Sequence, residues 1–183
     1  MEKSLIKEAL IKYFGFIHFR NGQEEIVSSI LNGNDTLAIM PTSGGKSLCY
    51  QLPALLMNGC TIVISPLISL MKDQVDALTK KGIPSVYINS SLSNDETNER
   101  LSRATNGEYK LIYIAPERLK NRTFRNALSS FNISFIAIDE AHCISEWGHE
   151  FRPAYLHILD ALESLPKIPI IALTATATPV VQD

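Results

Sequence analysis

Cysteine is scarce in this 183-residue chain, and so are long apolar runs and any surplus of one charge. Its three cysteines, Cys49, Cys60 and Cys143, form no C-x-x-C pair. A disulfide framework or structural zinc site is therefore not expected, and a reducing cytoplasm is favoured. No apolar run reaches the ~18 residues of a membrane span, so no membrane partner is expected. The net charge of −2 excludes nucleic-acid binding through bulk charge and leaves only a local basic face.

Short apolar runs recur along the chain, and within each run the apolar residues are consecutive rather than alternating with polar ones. Such runs are typical of parallel strands covered on both faces. Helical patterns lie between them, one of which begins at a capping box formed by Ser93 and Glu96. The alternation predicts an α/β fold, a three-layer α/β/α sandwich with a mostly parallel sheet, and residues 1–31 are expected to form a helical arm beside it. The six predicted strands are 36–40, 61–65, 84–88, 110–115, 133–139 and 169–174.

The sequence M-P-T-S-G-G-K-S (40–47) follows the first predicted strand and precedes a helix. Small residues there allow consecutive backbone N–H groups to turn around a phosphate. Lys46 would reach the β- and γ-phosphates of ATP, and the Ser47 hydroxyl would ligate Mg²⁺. The alternative is a plain glycine-rich turn, because Met40 replaces the first glycine of the usual pattern. The candidate nucleotide-binding residues of this loop are Met40, Pro41, Thr42, Ser43, Gly44, Gly45, Lys46 and Ser47.

Two adjacent acids, Asp139 and Glu140, come at the carboxyl end of the predicted strand 133–139. Open α/β sheets bind their ligands at that edge. Asp139 is suited to hold a nucleotide-bound Mg²⁺, and Glu140 to orient or deprotonate the attacking water. Taken alone, the pair is more typical of a solvated turn; the upstream phosphate loop favours the catalytic interpretation instead.

Basic residues concentrate between positions 100 and 125, which we call the basic segment. It holds seven basic residues and two acidic ones, a net charge of +5. Such a run is either a solvated helix face or a surface that tracks nucleic-acid phosphates. The sequence leaves both interpretations open.

Several motifs together resemble one family. D-E-A-H (139–142) after an apolar strand, with the phosphate loop upstream, resembles the superfamily-two helicases. The aromatic-rich C-I-S-E-W-G-H-E-F-R-P-A-Y (143–155) is similar to the loop that follows this box in RecQ DNA helicases. F-G-F-I-H-F-R-N-G-Q (14–23) is similar to the motif with which those enzymes read adenine. Further matches are 65–74, 114–119 and 173–178, so the resemblance covers residues 14–178.

The resemblance implies roles for individual residues. Arg20 and Gln23 would contact the adenine of ATP. His142 would be a coupling residue that bonds either to the segment with Thr174 and Thr176 or to the second motor domain. The implied catalytic residues are Lys46, Asp139, Glu140 and His142. The implied DNA contacts are Ser65, Lys72, Gln74, Trp147, Phe151 and Arg152.

The same resemblance implies a domain and its partners. Residues 1–183 would be the first RecA-like motor domain of a 3′–5′ DNA helicase acting in repair and recombination, with the second motor domain absent from this chain. ATP and Mg²⁺ are the implied cofactors; single-stranded and forked DNA and the second RecA-like domain are the implied partners. The implied location is the cytoplasm, at the nucleoid of a bacterium, or the nucleus of a eukaryote. Alone, such a domain would bind nucleotide but not unwind DNA. The alternatives are a P-loop phosphotransferase and a non-catalytic nucleic-acid-binding module.

Overall fold

A computed structural model describes residues 3–41, 44–144, 154, 156–163 and 165–175. Within them, six strands form one sheet in the order β1-β6-β5-β2-β4-β3, and every pairing is parallel. The parallel sheet predicted from continuous apolar runs is confirmed, with each strand within two residues of its expected limits. The strands are β1 (Thr36–Ile39), β2 (Cys60–Ile64), β3 (Ser85–Ile88), β4 (Leu111–Ile114), β5 (Ile133–Ile138) and β6 (Ile170–Thr174).

Helices cover both faces of this sheet, as the alternating pattern predicts. One apolar core joins the sheet to α2, α3 and α4, and a second core joins it to α5, α6 and α7. The capping box at Ser93 and Glu96 is confirmed. No helix in the described part of the chain is long and apolar enough to cross a membrane. The α-helices are α1 (Lys3–Ala9), α2 (Gln23–Leu31), α3 (Leu48–Leu56), α4 (Ile68–Lys80), α5 (Asn94–Thr105), α6 (Arg122–Leu128) and α7 (Leu156–Glu163).

The N-terminal arm is helical, as expected, and it packs on the helix that follows the phosphate loop. A π-helix (Leu10–Phe14) continues α1, and it ends at Gly15, whose φ of 73° lies in the left-handed region open to glycine. Leu10 is fully buried in a cluster with Val27 of α2 and Leu52 of α3. This packing sets the turn between α1 and α2 beside the phosphate loop.

The sheet topology brings three segments that are distant in sequence to one edge. β6 lies between β1 and β5, so the carboxyl ends of all three strands are neighbours. The phosphate loop follows β1, the two acids follow β5, and Thr174 ends β6. Ligands of open α/β sheets bind at such an edge, which makes this edge the candidate site.

Candidate functional site

The phosphate loop runs from the end of β1 into α3. The Met40 N–H donates to the Thr174 carbonyl at 3.0 Å, and the Gly44 N–H donates to the Pro41 carbonyl at 2.8 Å. Met40 is 5% exposed; at the position where the usual pattern has glycine, it serves as a core residue. Thr42 and Ser43 lie outside the described residues.

Gln23 lies directly against this loop. Its side-chain amide nitrogen donates to the Gly44 and Gly45 carbonyls, each at 3.2 Å, and its amide oxygen accepts the Arg20 N–H at 2.8 Å. Gly45 has a φ of +74°, and a Cβ added to it would lie 2.7 Å from the Gln23 amide nitrogen. The left-handed backbone favours glycine at position 45, and a side chain there would have to displace the Gln23 amide.

The Lys46 amino group lies inside the site with few partners. Lys46 is only 8% exposed, and its Nζ makes no hydrogen bond within the described residues. Its neighbour is a Glu140 carboxylate oxygen at 3.6 Å. The ammonium is therefore ion-paired but not hydrogen-bonded within the described residues, and a phosphate group would supply the acceptors that its donors lack.

The two acids after β5 lie in an unusual environment. Burial, and secondarily the charge of Glu140, raise the pKa of Asp139 from 3.8 to about 6. The Glu140 N–H donates to an Asp139 carboxylate oxygen at 3.0 Å. Glu140 itself has a φ of 51°, a left-handed conformation that costs a non-glycine residue about 1–2 kcal/mol. Backbone strain and a raised carboxylate pKa at one strand end are typical of functional sites.

His142 connects the acids to β6. Its Nδ1 lies 3.0 Å from the Thr174 hydroxyl and 3.4 Å from a Glu140 carboxylate oxygen. Thr174 is fully buried. The structure thus contains the link between His142 and Thr174 on which the predicted coupling depends, whereas Thr176 lies outside the described residues.

These residues fit a magnesium nucleotide. Lys46 supplies a buried cation in need of an anion, and Gly45 keeps the loop open to a close approach. Ser47 and Asp139 supply a hydroxyl and a carboxylate, the oxygen ligands that Mg²⁺ prefers. The described residues contain no group of three or more His, Cys, Asp or Glu side chains that could hold a metal ion. Nucleotide-bound Mg²⁺ does not require such a cage, because it needs only one or two protein ligands.

The residues predicted to contact DNA differ in accessibility. Lys72 is exposed on α4. Ser65 is 3% exposed, and its hydroxyl has no hydrogen-bond partner within the described residues. Gln74 is half-buried and accepts a hydrogen bond from the Gln51 amide at 2.8 Å, so its side chain is engaged inside the protein. Trp147, Phe151 and Arg152 lie outside the described residues.

Most cations of the basic segment contact other residues of the protein. Neither a solvated helix face nor a surface that tracks nucleic-acid phosphates predicts this. Arg103 pairs with Glu108 at 2.8 Å. The other four engaged cations donate to backbone carbonyls: Arg100 to Tyr87, Lys110 to Met57 and Gly59, Arg118 to Asn89, and Arg125 to Leu119 and Lys120. Lys120 and Arg122 are exposed.

Sequence reasoning missed a group of buried polar side chains behind the phosphate loop. Tyr50 and Gln51 follow Ser47 by one helical turn, and Tyr113 meets them from β4. The spacing from Ser47 was a usable signal for the two α3 residues. Tyr113 lies 62 positions from Gln51, and only the fold brings it there.

Comparison with known proteins gives consistent results. A sequence model of the family "DEAD/DEAH box helicase" matches residues 20–183. The chain is 55% identical over 176 residues to an ATP-dependent DNA helicase RecQ of Bacillus subtilis, covering 95% of this chain and 30% of that protein. It is 49% identical over 177 residues to the RecQ of Haemophilus influenzae, covering 97% of this chain and 29% of that protein.

Solved structures agree on the fold. A crystal structure of a hypothetical ATP-dependent RNA helicase from Sulfolobus tokodaii superposes with a TM-score of 0.74 at 21% identity, covering 99% of this chain and 53% of that one. At that identity the likeness concerns the fold alone. The chain spans about 30% of the length of the two RecQ proteins.

Proposed function

The chain belongs to the DEAD/DEAH box helicase family, in its RecQ branch, and from that membership we propose that residues 1–183 are the first RecA-like, ATP-binding motor domain of a longer ATP-dependent 3′–5′ DNA helicase. Family membership implies nucleotide use. ATP as the nucleotide, Mg²⁺ as its metal, and the coupling of hydrolysis to DNA unwinding are parts of the proposal. The observation that carries it is the Lys46 ammonium, 8% exposed and without a hydrogen-bond partner in the described residues.

Each residue of the site has a role in this proposal. Lys46 binds the β- and γ-phosphates, replacing its 3.6 Å contact with Glu140 by charge-assisted hydrogen bonds. Glu140, released from Lys46, orients the attacking water and accepts its proton. Ser47 and Asp139 hold Mg²⁺, which when bound neutralises charge on the phosphates. His142, bonded to Thr174, keeps Glu140 aligned with the end of β6.

Recognition of the base involves Arg20 and Gln23. Both lie beside Gly45, and a glutamine amide offers a donor and an acceptor in one plane, which matches the edge of adenine. The Gln23 amide here donates to the Gly44 and Gly45 carbonyls. Contact with adenine therefore requires Gln23 to exchange those bonds, which links arrival of the base to the conformation of the phosphate loop.

Binding of single-stranded and forked DNA is proposed at the start of α4. Leu67, at the N-cap, makes no side-chain cap, and no acidic residue lies in the first turn. The N–H groups and positive end of such a helix favour a phosphate. Lys72, one turn further, adds a cation, and the Ser65 hydroxyl makes no hydrogen bond to the described part of the chain. Contacts of this kind bind the backbone without reading sequence.

The remaining assignments come from the family resemblance. Trp147, Phe151 and Arg152 would contact single-stranded DNA, and Thr176 would act with Thr174 in coupling. The second RecA-like domain would supply an arginine finger, worth ~10³–10⁵ in rate. For this reason the 183 residues alone are expected to bind nucleotide but not unwind DNA. The proposed location is the cytoplasm, at the nucleoid of a bacterium, or a eukaryotic nucleus.

Substitution of Glu140 by Gln in the full-length protein tests the proposal. The amide keeps the shape of the carboxylate but cannot take a proton from water. We expect Mg²⁺-ATP binding to persist while DNA-stimulated hydrolysis falls at least ~10²-fold, the lower end of the contribution of a general base. Glu108→Gln, which alters an exposed glutamate paired with Arg103, is the matched control. Hydrolysis at the wild-type rate in Glu140→Gln would refute the assigned role.

A further inference from the structure

Four of the nine glycines in this chain directly follow an asparagine. In such a pair the backbone nitrogen of the glycine can attack the asparagine side chain, because glycine has no Cβ to hinder the approach. Inside a folded protein the attack requires local opening of the backbone, so the hydrogen bonds that hold each pair govern its rate. All four asparagines are exposed, and exposure therefore does not distinguish them. The four pairs are 21–22, 32–33, 58–59 and 106–107.

Two of the pairs are held by hydrogen bonds at the ends of helices. Asn32 follows α2 and Asn106 follows α5, and each donates its backbone N–H to a carbonyl of that helix at 3.1 Å. The glycine after each of them also donates its N–H to a helix carbonyl, at 2.9 Å and 3.0 Å respectively. In both pairs the attacking nitrogen must first leave a hydrogen bond, which slows the reaction.

The pair 58–59 is confined between α3 and β2. The Lys110 ammonium donates to the Met57 carbonyl at 2.8 Å and to the Gly59 carbonyl at 3.3 Å, which fixes the backbone on both sides of the asparagine. The Gly59 backbone also packs so closely on the Asn132 carbonyl that an added Cβ would clash with it. Movement of the glycine nitrogen toward the asparagine side chain would disturb these contacts.

The pair 21–22 is held less firmly. Asn21 and Gly22 are the central residues of a β-turn, and one backbone hydrogen bond closes this turn, from the Gln23 N–H to the Arg20 carbonyl at 3.1 Å. The Gly22 φ of 82° and ψ of −16° are typical of a type II turn. Within the described residues, the N–H groups of Asn21 and Gly22 make no hydrogen bond. The Gly22 nitrogen is thus the least restrained of the four attacking nitrogens.

We propose that Asn21 is a site of spontaneous deamidation, and that the product weakens nucleotide binding by displacing Gln23. The Gly22 nitrogen loses its proton to hydroxide and forms a bond to the Asn21 Cγ. The bond between Cγ and the side-chain nitrogen breaks, that nitrogen takes up a proton and leaves as ammonia, and a succinimide ring remains. Water then opens the ring at either carbonyl, which gives aspartate with the normal backbone or isoaspartate with the chain continued through Cγ. Water is the only co-reactant of the sequence.

Both products change the turn that holds Gln23. Each replaces a neutral amide by a carboxylate between Arg20 and Gln23, and isoaspartate also adds one carbon to the backbone. The Gln23 side chain accepts the Arg20 N–H at 2.8 Å and donates to two carbonyls of the phosphate loop at 3.2 Å. Lengthening the turn shifts Gln23 away from these partners, and the new carboxylate repels the phosphates of a nucleotide. The effect on nucleotide binding rests on the proposed function, whereas the chemical step at Asn21 does not.

The chemical step is tested by incubating the full-length protein at mildly alkaline pH and following each of the four asparagines by peptide mapping with mass spectrometry. We expect Asn21 to react at least about tenfold faster than Asn32 and Asn106, the factor that one or two additional hydrogen bonds give in local opening. In urea, where these hydrogen bonds are absent, the four rates should converge. Equal rates in the folded protein, or the same excess at Asn21 in urea, would overturn the structural basis of the site.

The effect on binding is tested by titrating a non-hydrolysable ATP analogue with Mg²⁺ into fresh and incubated protein. Asn21→Gln, incubated in parallel, is the matched control, because glutamine would have to close a larger ring and reacts far more slowly. As Asn21 is converted, the wild type should lose affinity by roughly five- to thirtyfold, the equivalent of one or two hydrogen bonds. The variant should keep the affinity that it has when fresh.

An equal decline in Asn21→Gln, or unchanged affinity of wild-type protein whose Asn21 is fully converted, would overturn the effect on nucleotide binding. Failure of the fresh wild type to bind the analogue would instead refute the proposed function. The deamidation rates are measured by mass and decide the chemical step in either case.

Discussion

The sheet edge that holds Lys46, Asp139 and Glu140, which we call the nucleotide edge, and the basic segment are both rich in charge, yet their charged groups differ in burial and in hydrogen bonding. At the nucleotide edge, Lys46 and Asp139 are nearly buried, and the Lys46 ammonium has no hydrogen bond among the described residues. In the basic segment, Arg103 and Lys110 are bonded to a carboxylate and to carbonyls. Charge density alone therefore does not distinguish the candidate site from the basic segment; a buried charge whose hydrogen-bonding capacity is unused does.

The largest expected contrast is between two lysine substitutions. Lys46→Ala should weaken Mg²⁺-ATP binding by at least about a hundredfold, because charge-assisted hydrogen bonds are worth ~1.5–3 kcal/mol each and Lys46 is proposed to make more than one. Lys110→Ala removes donors to the Met57 and Gly59 carbonyls. It should lower stability but leave nucleotide affinity unchanged. Isothermal titration calorimetry with each variant, alongside thermal melting, measures both quantities. Equal nucleotide affinities in the two variants would contradict the proposed role of Lys46 in binding the phosphates.

The fold was predictable from the sequence because its strands are continuous apolar runs separated by helical periodicity. The strand order was not, since it depends on which faces pack together rather than on any local pattern. Lys46, Asp139 and Glu140 were identified from motifs whose residue types suit phosphate chemistry. The partners of the basic segment were not predictable, because Arg100 finds the Tyr87 carbonyl and Lys110 the Met57 carbonyl only in the folded chain.

The burial of Ser65 and the hydrogen bond of Gln74 were not predictable from the sequence either. Both were expected to contact DNA, and that stays a prediction; in the structure Ser65 is buried and Gln74 is bonded to Gln51. A strand-end serine and a helical glutamine have no sequence signature that distinguishes a solvent-facing side chain from one turned toward a buried neighbour. Lys72 is exposed, as its length and charge favour.

The second contrast concerns pH. Burial and the charge of Glu140 raise the pKa of Asp139 to about 6, so its contribution to stability is fully present below the ordinary value of 3.8 and is lost as pH rises through 6. Asp139→Asn removes this dependence. At pH 7.5 the variant should be more stable by about 3 kcal/mol, the equivalent of a shift of roughly two pH units at 1.36 kcal/mol each. The difference should vanish near pH 3.5.

Urea unfolding of the wild type and Asp139→Asn across pH 3.5–7.5 measures this effect. Glu96→Gln is the opposing control on α5. Hydrogen bonds from the Ser93 backbone and then its side chain lower the pKa of that exposed carboxylate, so its stabilising effect is lost as pH falls. If the stability difference between the wild type and Asp139→Asn did not change with pH, burial would not disfavour the ionised form of the Asp139 carboxylate.

A third contrast uses two glycines with the same φ. Gly45 at the nucleotide edge and Gly107 in the basic segment both have φ near +74°, but only at Gly45 would a Cβ meet a neighbour, Gln23 at 2.7 Å. Alanine at either position should cost about 1–2 kcal/mol from the left-handed backbone. Only Gly45→Ala should also weaken nucleotide binding, since it displaces Gln23 and crowds the loop. Calorimetry and denaturant unfolding of both variants test this, and a normal nucleotide affinity in Gly45→Ala would contradict it.

The smallest expected effect compares two exposed cations against DNA. Arg103 is exposed but paired with Glu108 at 2.8 Å, so its charge is already neutralised. Lys72 lies one turn into α4, whose first turn holds no acidic residue. Removal of a cation that binds one phosphate should reduce the slope of log affinity against log salt by about one. Lys72→Ala should therefore lower the slope for a single-stranded oligonucleotide, and Arg103→Ala should leave it unchanged.

Fluorescence anisotropy of a labelled oligonucleotide at several salt concentrations, with the full-length variants, resolves slopes that differ by one. Affinity at a single salt concentration would not suffice, because the removal of one cation changes it only modestly. A reduced slope in Arg103→Ala would mean that DNA displaces Glu108 and recruits the basic segment after all. A reduced slope in Lys72→Ala alone would show that DNA binds at a cation that is not neutralised by a carboxylate of the protein. At the nucleotide edge, Lys46 suggests that a cation with unused donors marks the binding position of a phosphate. That outcome would show that the same rule holds for the surface that binds DNA.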